Sequence, residues 1–143
     1  MADTIIQALQ EYLQACPLLA GARLNVDFLP SRQLEYMISP SPVDEVLRTY
    51  AHGSSLRQYV FVLASKSPVD EGVAQNLTNS GFYEKLAAWM ENQTRRRTFP
   101  ALPEGKTPVS IQAMSTGYLM SATGTEGQYQ IQCRLVYHQE RSR

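Results

Sequence analysis

The sequence predicts an α+β fold: an antiparallel sheet with helices packed on one face, in a single domain over residues 1–143. Three observations carry that expectation. Segments with an apolar residue at every second position fall into two groups, before and after a helical stretch, and do not alternate singly with helices. A further helical stretch precedes the first group. Gln58–Ser65 is apolar on both faces, as a strand in the middle of a covered sheet is. The chain's 143 residues suffice for one sizeable core.

Thr4–Cys16 sets Ile5, Ile6, Leu9, Tyr12, Leu13 and Cys16 at helical spacing, with Asp3 or Thr4 as cap and Pro17 as stop. Cys16 therefore reads as a small core residue. RLNVDFL alternates Leu24, Val26 and Phe28 against Asn25 and Asp27. QLEYMIS sets Leu34, Tyr36 and Ile38 against Glu35, Met37 and Ser39, and the intervening PSR reads as a hairpin connection. Pro40 and Pro42 then bar regular central pairing. EVLRTYAHGSSLRQYVFVLAS reads as two strands around AHGSS, where Gly53 supplies a positive φ. In the second arm Tyr59, Phe61 and Leu63 share one face and Val60, Val62 and Ala64 the other. Helices can cover one face and a neighbouring subunit the other.

SPVDEGVAQNL reads as a helix start, with Ser67 as cap, Pro68 in the first turn, Asp70 in the capping-box position and Val69, Val73 and Leu77 inward. NSG ends it. FYEKLAAWMENQ is a second helix with Phe82, Leu86, Trp89 and Met90 inward. Arg95, Arg96 and Arg97 follow at its C-terminal end, where the helix dipole favours positive charge. FPALPEGKTP is a three-proline loop. PVSIQAM is a strand with Val109 and Ile111 on one face, SATGTEG a polar turn, and YQIQCRLVYHQE the last strand.

The charges balance, 13 basic against 13 acidic residues. Such a chain has no general electrostatic reason to bind nucleic acid or a membrane, and its low self-repulsion suits assembly with copies of itself. The N-terminus lacks the basic start and long apolar core of a signal peptide, and no apolar run approaches the ~20 residues that span a bilayer. The expectation is a soluble product of a cytoplasm. Chemistry finds little purchase. Cys133 shares a strand face with Ile131 and Leu135 while His138 points the other way, so thiol and imidazole cannot meet. His52 reads as a polar turn residue; an acetyltransferase His-His-x-x-x-Asp-Gly motif fails because Ala51 precedes it and no Asp-Gly follows. No phosphate loop, nucleophile elbow or metal-ligand spacing occurs. The expectation is no enzyme, with no catalytic, cofactor-binding or metal-binding residues. A nucleic-acid-binding reading would rest on the triple arginine alone, which more often is a solvated helix end.

The stretches NVDFL, EYMI, GSSLRQYVFVLAS, QNLTNSGFYEKLAAWMENQ, STGYLM and YQIQCRLVYHQE, in this order and spacing, resemble a family of small phage and prophage proteins from the tail-morphogenesis region. The family is often labelled minor tail or minor capsid protein and is similar to the tail terminators of long-tailed phages. The resemblance runs from about Ile5 to Glu140. It implies a tail-terminator-like α+β unit that forms a ring, usually of six subunits, on the head-proximal end of the tail tube. The ring halts tube polymerisation and then offers its other face to the head-tail connector. The implied partners are copies of the chain, the tube protein and the connector. DNA only passes through the lumen, no membrane and no cofactor are involved, and the location is the virion neck after assembly in the host cytoplasm. Another neck component, a head-completion or connector protein, is the alternative. On that reading the hairpin tip from Thr49 to Arg57, with Tyr50, His52 and Arg57, and the turn with Thr125 and Glu126 are candidates to face tube or connector. The loops Pro40–Val43 and Phe99–Pro108 are candidates to clasp a neighbour. Arg95, Arg96 and Arg97 are candidates to meet acidic groups across a subunit boundary or to line the lumen.

Overall fold

The computed structural model describes residues 3–19, 22–27, 29, 35–68, 73–123 and 126–141, with residues 67, 68, 73–80, 121–123 and 126 described by backbone alone. Helix α1 spans Ile5–Gln14 and a short 3-10 turn spans Pro17–Leu19. The strands are β1 (Arg23–Val26), β2 (Glu35–Pro40), β3 (Val46–Thr49), β4 (Ser55–Pro68), β5 (Lys106–Ala113), β6 (Tyr118–Thr123) and β7 (Glu126–Gln139), and helix α2 covers Val73–Arg96. The seven strands form one mixed sheet in the order β1-β2-β4-β7-β5, with β3 also on β4 and β6 also on β7. With the helices on one face, this is an α+β fold.

The frame is the pairing of β4 with β7, antiparallel from Ser55↔Gln139 to Pro68↔Glu126. Alternation along it decides the core. Phe61 lies opposite Cys133, Leu63 opposite Ile131 and Tyr59 opposite Leu135. Ile38 on β2 and Ile111 on β5 join the same face by register. Onto that face α1 brings Leu9 and Leu13, and α2 brings Tyr83, Leu86 and Met90, all in one buried cluster. Thr4 caps α1 by accepting from the Gln7 amide at 3.2 Å. Pro17 then turns the chain and Cys16 is buried. The central, doubly apolar β4 and the β3–β4 hairpin match expectation. The second face of β4 carries Val60 and Ala64, buried beside Met37, Gln130 and Arg134 as cross-strand neighbours.

Four local expectations are corrected. β1 and β2 pair in parallel, Arg23↔Glu35 to Val26↔Ile38, and so are not a hairpin. Alternation reports which face a residue takes, not which way its strand runs. Asp27, at φ 57°, ends β1, and its amide donates to the Ile38 carbonyl. Of the residues expected there, Phe28, Leu34 and the PSR connection lie outside the described residues. Ser67 and Pro68 do not start a helix. They extend β4 opposite Gly127 and Glu126, because the long β7 continues to pair with them. Val69 and Asp70 are outside the described residues, as are the side chains of Val73 and Leu77.

NSG does not split the helical region; α2 runs through it. A glycine inside a helix costs about 1 kcal/mol, less than burying the face that carries Tyr83, Leu86 and Met90 returns. A Cβ built on Gly81 meets nothing within 4 Å. Gly81→Ala should therefore stabilise the protein by about 0.5–1 kcal/mol, read as a higher urea midpoint at unchanged slope. Finally, Val109 does not share the core face with Ile111. Register shifts between Pro108 and Ser110, leaving Val109 44% exposed while Ile111 is fully buried. Pro108 is tolerated because β5 lies at the sheet edge.

Candidate functional site

Two regions stand apart from the packed core: the hairpin turn between β3 and β4, and the outer margins of the sheet.

The turn is built from local hydrogen bonds. The Tyr50 amide donates to the Ser54 carbonyl at 2.9 Å, and the Gly53 amide donates to the Tyr50 carbonyl at 3.0 Å. Gly53 sits at φ 97° under the Arg141 side chain, so only glycine closes the turn without strain. The Tyr50 ring stacks on His52 at 5.8 Å and tilts against His138 at 5.9 Å, so both histidines of the chain meet one tyrosine. His52 Nε2 hydrogen-bonds Ser54 Oγ within the turn. Ser54 is only 3% exposed, which leaves its hydroxyl unreachable as a nucleophile and makes the contact a clasp on the turn. Arg57 is held by its own strand pair: its Nε donates to Ser55 Oγ at 3.0 Å and its guanidinium lies 3.9 Å from Glu45.

The structure brings Tyr50, His52 and His138 together; sequence alone did not pair His138 with the turn, because its distance in sequence hides the β4–β7 register. Leu56↔His138 is the signal that joins them. Thr125 lies outside the described residues, and of Glu126 only the backbone is described, at the start of β7. Its end of the β4–β7 ladder is the far one, about 45 Å from the hairpin turn at roughly 3.3 Å per residue. The hairpin turn and the start of β7 thus lie at opposite ends of the β4–β7 ladder.

The arginine run belongs to neither. Arg95 pairs with Glu91 one helical turn back at 3.5 Å, both exposed. Arg97 takes φ 57°. The Thr98 amide reaches the Gln93 carbonyl and the Arg97 amide the Thr94 carbonyl, a Schellman end in which Arg97 stands where glycine is usual. Arg96 is exposed beside them. The loop Phe99–Pro108 is tied down by its own domain, with Pro100 and Leu102 buried and Tyr12 donating to the Thr98 carbonyl at 2.8 Å. By contrast Pro42 and Val43 are exposed, beside a crevice of about 290 Å³.

The sheet margins follow from the topology. β7 occupies one whole edge of β4, so β2 and β3 share the other; likewise β5 and β6 share the outer edge of β7. Among the described residues the exposed large apolar side chains are Val26, Val43, Val46 and Leu47 on the first margin and Val109, Met114, Leu119 and Met120 on the second. Every residue of β3 is exposed. β6 itself was missed in the sequence, where its half beyond Met120 was read as turn. The second sheet face adds Gln112, Gln130, Gln132 and Arg134; the Arg134 Nε is buried without a hydrogen-bond partner among the described residues.

Cys133 faces the helices, fully buried. Burial pushes its thiol far above the ordinary value of 9.0, and burial likewise raises the Tyr83 hydroxyl. A raised thiol holds its proton in the folded state while the unfolded chain releases it. The stability so contributed is complete below pH 9 and is lost as the pH rises above it. Cys133→Ala should flatten the alkaline loss of stability by up to about 1.4 kcal/mol per pH unit, measured by urea unfolding between roughly pH 8 and 11.

Among the described residues no group of three or more His, Cys, Asp or Glu side chains is placed to hold a metal ion, and no helix is long and apolar enough to cross a membrane. No family model matches the chain, and a search of characterised proteins finds no significant relative.

Proposed function

We propose that this chain is a structural assembly subunit of a phage or prophage tail, acting as a tail-terminator-like protein. Copies close into a ring on the head-proximal end of the tail tube, stop its growth and present a docking face to the head-tail connector. The observation that carries the reading is the pair of sheet margins on opposite sides of one subunit, each bearing exposed large apolar side chains. Exposed apolar margins of this kind persist in soluble proteins when assembly covers them. Patches on opposite sides associate head to tail, and a head-to-tail contact that closes makes a ring. The zero formal net charge adds no repulsion between copies.

The resemblance to the tail-morphogenesis family supplies the rest: tube protein and connector as partners, DNA only passing through, and no chemistry or cofactor. The hairpin turn with Tyr50, His52 and His138 and the opposite end of the β4–β7 ladder, where β7 starts at Glu126, would give such a ring two different rims. One rim meets the tube and the other the connector. Electron microscopy of particles assembled with and without the protein tests this. Overlong tubes of variable length, restored to uniform length on adding the protein back, support the terminator. Uniform tubes that fail to join heads favour a connector instead, and normal joined particles refute both.

A further inference from the structure

The outer edge of β5 is met by a side chain of α2. Thr94 Oγ1 accepts from the Ile111 amide at 3.0 Å and donates to the Ile111 carbonyl at 2.7 Å. One hydroxyl thus engages both backbone groups of a strand residue, as a residue of a neighbouring antiparallel strand does. Both groups of Ile111 therefore point away from β7. By alternation those of Ala113 point the same way, while the Met114 amide turns inward to the Gln132 carbonyl at 2.7 Å. Thr94 stands in the last turn of α2, and the Arg97 amide bonds its carbonyl at 3.1 Å as the helix ends. A threonine hydroxyl in a helix commonly bonds a carbonyl of the preceding turn. This one reaches across to the sheet instead.

The same margin is closed in three further ways. Where β5 gives out, the Gln132 amide of β7 donates to Ser115 Oγ at 3.1 Å, so a second hydroxyl takes the place of a strand. Pro108 has no amide to offer, and the register shifts between Pro108 and Ser110. Each device withdraws backbone, and none withdraws apolar surface: Val109, Met114, Leu119 and Met120 stay exposed along this margin. An edge that had only to stay soluble would lose the apolar side chains as well. Beside Thr94 an open groove of about 540 Å³ separates α2 from β5 where Ala87 and Ala88 line the helix side. The helix thus stands off the strand at its alanines and reaches the strand's backbone through Thr94.

We propose that Thr94 is a latch on the β5 edge: it occupies the outward backbone groups of Ile111, holds the second margin shut against strand addition, and so confines contacts there to side chains. The inference rests on the assembly reading for the role of the margin and adds how that margin is regulated. A subunit that could pair through bare backbone would add to any exposed strand, whatever its sequence, and form open aggregates. Side-chain contacts depend on shape and position, so they select a partner. The latch hangs on one hydroxyl. Valine has the same shape and branching as threonine but neither donates nor accepts, so Thr94→Val leaves the Ile111 amide and carbonyl facing outward without their partner. With Ala113 they then present consecutive outward positions of an open edge.

The test compares self-association of the full chain with that of Thr94→Val, Thr94→Ser and Ile131→Val, by sedimentation velocity over a concentration series. Thr94→Ser keeps the hydroxyl. Ile131→Val removes one buried methyl far from the edge and so controls for lost stability. Thr94→Val should associate at least about tenfold more tightly than the native chain, with Thr94→Ser and Ile131→Val close to native. Amide exchange then locates the contact. In dilute Thr94→Val the Ile111 amide should lose protection, and in the associated sample both Ile111 and Ala113 should gain it. Association of Thr94→Val no tighter than native overturns the latch. So does equal association by Thr94→Ser or Ile131→Val, or association that leaves Ala113 unprotected. If the latch fails these tests while the native protein still sets tube length, the terminator reading stands alone. If the latch holds while tube length is indifferent to the protein, the guarded edge stands and the tail role fails.

Discussion

Gly117→Ala should destabilise the protein by about 3 kcal/mol, at the upper end of what overpacking costs. A Cβ at that position would overlap the Tyr83 Cβ and lie 2.6 Å from its Cγ. The Tyr83 Cβ is fixed to the α2 backbone, so no rotamer change relieves the overlap. The ring is also committed. Tyr83 is 1% exposed, and its hydroxyl donates to the Tyr129 carbonyl at 3.0 Å and bonds Ser65 Oγ at 2.6 Å. Either α2 or the segment entering β6 must move, and both are anchored to the sheet. Urea unfolding should show a lower midpoint at unchanged slope. A loss below about 0.5 kcal/mol would mean that segment and helix are not in contact in solution.

Phe61→Ala should cost about 4 kcal/mol, and Val62→Ala less than about 1.5. The two residues are adjacent in β4 but face opposite sides. Phe61 is fully buried under the helices, between Pro40 and Cys133 across the ladder; Val62 lies on the face away from them. Since domains of this size are stable by only 5–15 kcal/mol in general, the Phe61 variant should sit close to its unfolding threshold. Equal effects would contradict the assignment of faces on which the margin geometry depends.

The sequence disclosed faces and interruptions better than directions and distances. Alternation in Gln58–Ser65 and in YQIQCRLVYHQE placed β4 and β7 with correct inward residues, because burial acts on each side chain by its face alone. Pro17 marked a stop because proline's limits are local, whereas Pro40 does not bar pairing: it ends β2 still in register with Phe61. The parallel run of β1 beside β2 left no mark, since strand direction is settled by the connection and not by the pattern. NSG looked like a break because propensity favours one, yet the buried face of α2 outweighed it. Tyr83, wholly buried, was overlooked because a tyrosine between Phe82 and Glu84 is not a clear inward residue until Ser65 and the Tyr129 carbonyl are seen to bond it. At the candidate site, Tyr50 and His52 were legible from the turn. The exposed apolar side chains of the margins were not, because Leu47, Val109 and Met120 lie at register shifts that a regular period cannot predict.

The claim that matters most is that this chain caps a tube by assembling with itself. Its most direct test is to mix the purified protein with isolated, headless tail tubes and image them by negative stain. The account predicts a ring of density at one end of each tube, formed before any head is present. Bare tube ends, with the protein binding only once heads or connectors are added, would contradict it.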